Sequence, residues 1–139
     1  MKRAAFFDTN IFLYADDCGN AAKQERAIEL VASYQRNGLA MISLQVMQEY
    51  FSVATRKLGV DVKVAQRKVE LMAEMQVVRF LEADVVQAIE LHRLSRISFW
   101  DAMIVHAAKV GGAEILFSED LQDGGRFGGV RVENPFRLP

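Results

Sequence analysis

The chain has little of several residue types that mark specialised classes of protein. Its 139 residues include one cysteine and two prolines. A lone cysteine, Cys18, forms no intramolecular disulfide and indicates a reducing, cytoplasmic setting. No apolar run approaches the roughly 20 residues that a membrane span needs, and acidic Asp8 comes too early for a signal peptide. These features predict a cytoplasmic protein with no membrane segment.

An excess of positive charge is also lacking. The chain has 17 basic and 18 acidic residues, which gives a formal net charge of −1. This balance argues against binding to nucleic acid through bulk charge alone. Hydrophobic residues make up 51% of the chain, as in ordinary globular proteins that bury a core of their own. We predict a single domain over residues 1–139.

Short apolar segments alternate with helical patterns along the chain. Strands are predicted at residues 4–7, 39–43, 77–81 and 114–118, and VRV at 130–132 is a possible edge strand. This alternation predicts an α/β fold with a central, mostly parallel twisted sheet of four to five short strands, covered by helices on both faces. Ligands of such sheets bind beyond the carboxyl ends of the strands.

Four acidic residues are predicted to meet at that edge of the sheet. Asp8 and Asp120 follow predicted strands, whereas Glu49 and Asp101 lie in the first turns of predicted helices. Carboxylates at one rim raise each other's pKa unless a cation offsets their charge. Because oxygen ligands without His or Cys suit Mg²⁺ or Mn²⁺, the sequence favours metal-dependent phosphodiester hydrolysis.

Each acid also has a purely structural interpretation. Asp8 can cap the helix that follows it. Asp101 has capping-box spacing from Ser98, and Glu49 can be a solvated helix residue. The segment SEDLQDGG around Asp120 is typical of an acidic surface turn. The four acids indicate a metal site only when they are considered together.

Four stretches of the chain occur in an order typical of a known family. They are FFDTNIFLYA, SLQVMQEYFSVATRK, SFWDAMIVHAAKVGGAEILFSEDLQDG and the closing VENPF. Together they resemble the PIN domain, in particular the VapC-type toxin ribonucleases. The resemblance implies a three-layer α/β/α fold and a Mg²⁺- or Mn²⁺-dependent endoribonuclease that acts on RNA. It also implies a homodimer that is neutralised by a cognate antitoxin protein.

The resemblance assigns roles to individual residues as well. It implies that four acids are catalytic and bind the metal ion: Asp8, Glu49, Asp101 and Asp120. The residues that it implies in support of them are Thr9, Asn10, Ser118 and Glu119. In this assignment Thr9 or Ser118 supplies a hydroxyl, and Asn10 braces the loop of Asp8.

RNA binding needs positive charge somewhere on the surface. The densest basic stretch of the chain supplies the candidate residues Arg56, Lys57, Lys63, Arg67 and Lys68. A solvated helix face explains the same charges. Phe99 and Trp100, beside Asp101, have the chemistry to stack on a base, but we expect both to be buried in the core.

Other functions stay open at this point. A receiver-type phosphoacceptor domain also gathers acids at strand ends, although the segment LFSED offers no lysine for such a site. A haloacid-dehalogenase-type phosphatase would need an aspartate where Asn10 lies. A catalytically weak PIN-like domain that binds RNA or a protein partner is a further alternative. His92 and His106 form no ligand-spaced pair, and we expect them to pack against helices or lie at the surface.

Overall fold

The computed structural model describes residues 3–137; residues 1–2 and 138–139 of the predicted domain lie outside this range. No helix within the described range is long and apolar enough to cross a membrane. The elements in chain order are β1 (Ala5–Phe7), α1 (Thr9–Ala15), α2 (Ala21–Arg36), β2 (Ala40–Ser43), α3 (Leu44–Arg56), α4 (Val62–Met72), β3 (Gln76–Val78), α5 (Glu82–Ser95), α6 (Phe99–Val110), β4 (Ile115–Phe117), β5 (Arg126–Phe127) and β6 (Val130–Glu133).

The strands form one sheet in the order β3-β2-β1-β4-β6-β5. All neighbouring strands pair in parallel except β5, which is antiparallel to β6. The predicted α/β fold with a mostly parallel sheet is therefore confirmed. The predicted number of strands was too small, because a two-residue strand, β5, was missed.

The segment VRV is not the edge strand that its sequence suggested. It belongs to β6, which lies between β4 and β5. A two-residue turn, Gly128-Gly129, folds β5 back against β6, and Gly128 has a φ of 62°. Glycine adopts this backbone conformation without steric cost, so Gly-Gly between short strands is a hairpin signal.

The centre of the sheet is buried on both of its faces. All three residues of β1 are buried, and successive side chains of a strand point to opposite faces. The ring of Phe7 lies 5.3 Å from that of Phe117 on β4 and 5.6 Å from that of Tyr34 on α2 (centroid distances). Helices therefore cover both faces of β1, as the continuous apolar run predicts.

Polar caps fix the start of the two helices that carry predicted acids. The Ser43 hydroxyl accepts a hydrogen bond from the backbone N–H of Val46 at 3.4 Å, where α3 begins. The Ser98 hydroxyl accepts one from the backbone N–H of Asp101 at 3.0 Å, where α6 begins. Each cap satisfies one of the N–H groups that a helix N-terminus leaves without a partner.

Some element boundaries differ from those predicted. Helix α4 ends at Met72 instead of residue 75, and β3 ends at Val78 instead of residue 81. Helix α5 begins at Glu82, two residues before the predicted start. The reason is that the carboxylate of Asp84 accepts a hydrogen bond from the backbone N–H of Leu81 at 2.9 Å and so fixes the start of the helix at this earlier position.

Candidate active site

The sheet register brings the ends of β1 and β4 together. Phe7 pairs with Phe117 in parallel, so the residues that follow both strands lie side by side. The Oγ of Ser118 donates a hydrogen bond to Oδ2 of Asp8 at 2.7 Å and accepts the backbone N–H of Asp120 at 3.1 Å. Because Ser118 is fully buried, its hydroxyl fixes the turn after β4 relative to Asp8.

Asn10 makes a second connection between the same two segments. Its Nδ2 donates to Oδ2 of Asp8 at 3.3 Å and to Oδ2 of Asp120 at 3.1 Å. Its Oδ1 accepts the backbone N–H of Glu119 at 3.3 Å. One amide side chain therefore holds two of the predicted acids beside each other.

Glu49 reaches the same edge from α3. Its Oε1 accepts hydrogen bonds from the Thr9 hydroxyl and from Nε2 of Gln45, both at 3.1 Å. The same Nε2 of Gln45 also donates to the backbone carbonyl of Trp100 at 3.3 Å. These bonds connect α1, α3 and α6, and they place the Asp101 segment next to the helix of Glu49.

A cavity of about 410 Å³ opens beside these groups and contains all four predicted acids in its wall. Glu119 and an acid that the sequence reasoning missed, Asp17, also line it. Helix α1 begins beside Asp8 at this edge and has only seven residues, which is roughly 10 Å of helix. Asp17, two residues beyond the end of α1, is therefore still close to the edge. In the described part of the chain, Lys57 is the only Lys or Arg that lines the cavity, against six acids.

The electrostatic environment of Asp8 follows from its place under this cavity. Asp8 is only 5% exposed, and burial raises its pKa to about 7, with the charges of Asp120 and Glu49 acting in the same direction. Hydrogen bonds from the Ser118 hydroxyl and the Thr9 backbone N–H lower the pKa but do not restore its ordinary value. The fold therefore disfavours the ionised form of this carboxyl.

The pKa of Asp101 is raised as well. Burial raises the pKa of Asp101, the hydrogen bond with Ser98 opposes this change, and the charge of Asp120 adds to it. Asp120 itself is exposed. The charge of Asp120 therefore acts on Asp101 although the two residues lie in different segments of the chain.

Glu119 differs from the four acids because it already has a cation. The ammonium group of Lys23 forms an ion pair with its carboxylate, and the Tyr14 hydroxyl donates to it at 2.6 Å. Burial raises the pKa of Glu119, but the hydrogen bonds from Lys23 and Tyr14 outweigh that effect, so the pKa is lowered. No sequence pattern indicated this pair, because Lys23 lies on α2, far along the chain from Glu119.

The donor chemistry of the cavity fits a hard divalent cation, since carboxylates line it and neither His nor Cys does. Within residues 3–137, however, no group of three or more His, Cys, Asp or Glu side chains is arranged so that it could hold a metal ion. Hydrogen bonds from Ser118 and Thr9 already engage Asp8 and Glu49. A site in which three or more of these side chains hold the ion therefore requires the carboxylates to rearrange.

The predicted RNA-binding residues have different surroundings. Arg67 pairs with Glu70 at 3.1 Å, and Lys68 pairs with Asp16 at 3.4 Å. Lys57, at the C-terminal end of α3, lines the acidic cavity. The other two members of the set are exposed to solvent: Arg56 and Lys63. Lys57 alone among the five lies at the candidate site.

The expectation that Phe99 and Trp100 are buried was wrong for Trp100. Phe99 is half-buried, whereas Trp100 is 60% exposed and lines the cavity. Ile104, one turn further along α6, is buried and lines the same cavity. Trp100 lies in the first turn of α6, where the open cavity leaves most of its ring uncovered.

Neither histidine lines the cavity. His106 is buried, and its Nε2 lies 3.0 Å from Oδ1 of Asp84 while its ring packs against Phe80 at 5.3 Å between centroids. His92 is exposed. The structure thus confirms the expectation that these residues pack against helices or lie at the surface.

The sequence from residue 5 to residue 122 matches the family model of the PIN domain. The chain belongs to the PIN-domain family. The receiver-type alternative is wrong, because in that fold β1 pairs with β2 and β3, whereas here β1 pairs with β2 and β4. No curated protein sequence matches this PIN domain significantly.

Solved structures share the fold of this PIN domain. A toxin–antitoxin complex from Klebsiella pneumoniae has a TM-score of 0.71 at 19% identity, covering 97% of this chain and 100% of that one. The VapC20 toxin of Mycobacterium tuberculosis, which cleaves the sarcin–ricin loop, has a TM-score of 0.67 at 24% identity, with 84% and 90% covered. VapBC2 from Rickettsia felis, bound to a promoter DNA fragment, has a TM-score of 0.68 at 20% identity, with 94% and 98% covered.

Proposed function

We propose that this PIN domain is a metal-dependent endoribonuclease that hydrolyses RNA phosphodiester bonds, and that it is the toxin of a VapBC-type toxin–antitoxin pair. The supporting observation is the cavity at the carboxyl edge of the sheet, where six acids and one lysine line the wall. Such an excess of carboxylates favours a bound cation. The similarity to VapC and VapBC structures supports the same class of protein.

The residues that hold Mg²⁺ or Mn²⁺ in this proposal are Asp8, Glu49, Asp101 and Asp120. The bound ion supplies an activated water and stabilises the charge that develops on the phosphoryl oxygen. The chain's own hydrogen bonds orient the carboxylates: Ser118 donates to Asp8, and Thr9 donates to Glu49. Asn10 holds Asp120 beside Asp8.

The partners follow from the same class of protein. Similar structures include toxin–antitoxin complexes from Klebsiella pneumoniae and Salmonella typhimurium, so we infer that a cognate antitoxin binds this chain. We also infer a homodimer in the cytoplasm, from the family resemblance and the single cysteine. Co-expression with the product of the adjacent reading frame, followed by co-purification and light scattering, tests both inferences.

Cleavage of single-stranded RNA by the purified chain tests the enzymatic function. Activity is expected with Mg²⁺ or Mn²⁺ and is lost when EDTA removes the ion. Asp8→Asn and Asp101→Asn each abolish cleavage, because each removes a carboxylate from the cluster. Asp61→Asn is the matched control: Asp61 is an exposed helix cap, and asparagine caps helices equally well. Circular dichroism verifies that all variants are folded.

A catalytically weak domain that binds RNA or a protein is the second candidate. It is favoured by the finding that no three acidic side chains within residues 3–137 form a ready-made metal site. Cleavage that persists in both Asp8→Asn and Asp101→Asn contradicts the enzymatic assignment. A wild-type chain that binds RNA but cuts none of it, with either metal ion, establishes the second candidate.

A further inference from the structure

The candidate cavity has an apolar wall beside its acids. The apolar side chains that line it come from α1, α3, the loop after α3, and α6: Leu13, Val53, Leu58, Trp100 and Ile104. A metal ion and a phosphate group require only polar and charged partners. An apolar wall of this kind suits a flat, weakly polar group, and a nucleobase is the part of an RNA that has such a face.

Trp100 is the most exposed part of this wall. Its exposed fraction is 60%, while Ile104 beside it is buried. The Phe99 ring approaches Trp100 edge-on, with 4.9 Å between centroids and 65° between planes. More than half of Trp100 is therefore exposed to solvent at the wall of the cavity, and an exposed apolar surface at a cavity is typical of a binding site.

Hydrogen bonds hold the Trp100 segment close to the acids. The backbone carbonyl of Trp100 accepts from Nε2 of Gln45, and the same nitrogen donates to Glu49. Asp101 is the next residue along α6. A base stacked on Trp100 therefore belongs to a nucleotide close to the phosphate that the acid cluster would bind.

Electrostatics alone does not attract RNA into this cavity. Within residues 3–137, six acids line it against one lysine, Lys57, and Lys23 neutralises one of the six, Glu119. Phosphates are repelled by the carboxylates that remain uncompensated. Stacking of a base on an aromatic ring is attractive at any net charge and tolerates every base. An aromatic contact therefore supplies attraction that the charges of the wall do not.

We propose that Trp100 is a substrate-binding residue that stacks on an unpaired base next to the cleaved phosphodiester. The inference rests on the proposed ribonuclease function and deepens it by assigning one residue that contacts an unpaired base of the RNA. In a duplex each base is already stacked between its neighbours, so its face is not available to a side chain.

Intrinsic fluorescence offers a direct test, because Trp100 is the only tryptophan of the chain. The full chain is titrated in EDTA, so that no cleavage occurs, with an unstructured oligoribonucleotide and with a blunt duplex of the same length. Saturable quenching by the single strand, with little change from the duplex, is the expected result. Equal quenching by both, or none by either, contradicts stacking on an unpaired base.

Cleavage kinetics with Mn²⁺ provide the second readout. Trp100→Leu keeps an apolar side chain but removes the aromatic face, so KM is expected to rise about tenfold with kcat nearly unchanged. Trp100→Phe restores most of the wild-type KM. Leu94→Ala is the matched control, since Leu94 is 70% exposed and does not line the cavity. An unchanged KM in Trp100→Leu overturns the inference.

The two readouts separate this inference from the proposed function. Wild-type cleavage with no quenching and no KM effect leaves the ribonuclease intact and refutes the role of Trp100. Quenching by single-stranded RNA without any cleavage refutes the ribonuclease and retains the base-stacking site. Quenching by the candidate antitoxin but by no RNA shows that this surface binds protein, and that result also overturns the inference.

Discussion

The hydroxyl of Ser118 lies 2.7 Å from Oδ2 of Asp8, and both residues are buried at the carboxyl edge of the sheet. The two residues follow neighbouring parallel strands whose last members, Phe7 and Phe117, are in register. The bond links Asp8 directly to the turn that carries Asp120, and it is shorter than the 3.3 Å bond from Asn10 to the same oxygen. It also lowers the pKa of Asp8, against the larger effect of burial.

Ser118→Ala removes this donor from a buried carboxylate. The free energy of unfolding is expected to fall by about 1–3 kcal/mol at pH 8, the usual penalty for a lost buried hydrogen bond. The loss should be smaller at pH 5, because the protonated form of Asp8 depends less on a donor. Urea denaturation at both pH values measures it. Ser52→Ala is the control, since the hydroxyl of half-buried Ser52 accepts a hydrogen bond from the exposed side chain of Arg56 on α3. Equal effects of the two variants would refute the assigned role of Ser118.

Asp8→Asn tests the perturbed titration of Asp8. Its folded pKa of about 7 lies above the ordinary value of 3.8. The fold therefore binds this proton more tightly than the unfolded chain does, and ionisation costs stability as the pH rises from about 4 to 7. Asparagine never ionises. In EDTA, the variant should gain Tm relative to the wild type at pH 8 by more than it does at pH 5.

The control for Asp8→Asn is the same substitution at the exposed cap Asp61. Thermal denaturation in EDTA should give Asp61→Asn the same shift at both pH values. With saturating Mn²⁺ at pH 8, the wild type should instead have a higher Tm than Asp8→Asn, because a bound ion stabilises only the chain with the intact acid cluster. A pH-independent difference between Asp8→Asn and the wild type would contradict the raised pKa.

The sequence predicted the meeting of Asp8 with the Ser118–Asp120 turn for a general reason. Both segments directly follow short apolar runs, and parallel strands present their carboxyl ends at one edge. The place of Asp101 at the start of a helix was also predictable, because Ser98 and Asp101 have helix-cap spacing. Patterns of neighbouring residues along the chain were therefore sufficient to predict where these acids lie in the fold.

Features that depend on distant packing were not predictable in this way. Glu119 was predicted to support the four acids, but Lys23 from α2 neutralises it. Trp100 was expected to be buried as a large aromatic residue beside a helix start, but it is 60% exposed and lines the cavity. Asp17 has no motif of its own; it lines the cavity because α1 is short.

Glu119→Gln separates this neutralised acid from the proposed ligands. Because Lys23 and Tyr14 already engage the Glu119 carboxylate, its substitution should leave the Mn²⁺ dependence of RNA cleavage within about twofold of the wild type. The neighbouring Asp120→Asn should raise the Mn²⁺ concentration for half-maximal cleavage at least tenfold, since a ligand is lost. Metal titrations of both variants give the comparison. A larger effect from Glu119→Gln would place Glu119 among the ligands instead.

Lys57→Gln tests whether Lys57, the one Lys or Arg among the described residues that lines the cavity, contacts the RNA backbone. The side chain of Lys57 lines the acidic wall, where its charge is placed to meet a phosphate. Its loss should weaken binding of a single-stranded oligoribonucleotide several-fold and reduce the salt slope of log K by about 0.7, the value for one phosphate contact.

Lys63→Gln is the matched control, because Lys63 is exposed on α4 and does not line the cavity. Fluorescence titrations in EDTA between about 50 and 200 mM salt measure both variants. Equal slopes for Lys57→Gln and Lys63→Gln would assign RNA binding to the wider basic surface of α3 and α4 rather than to the cavity.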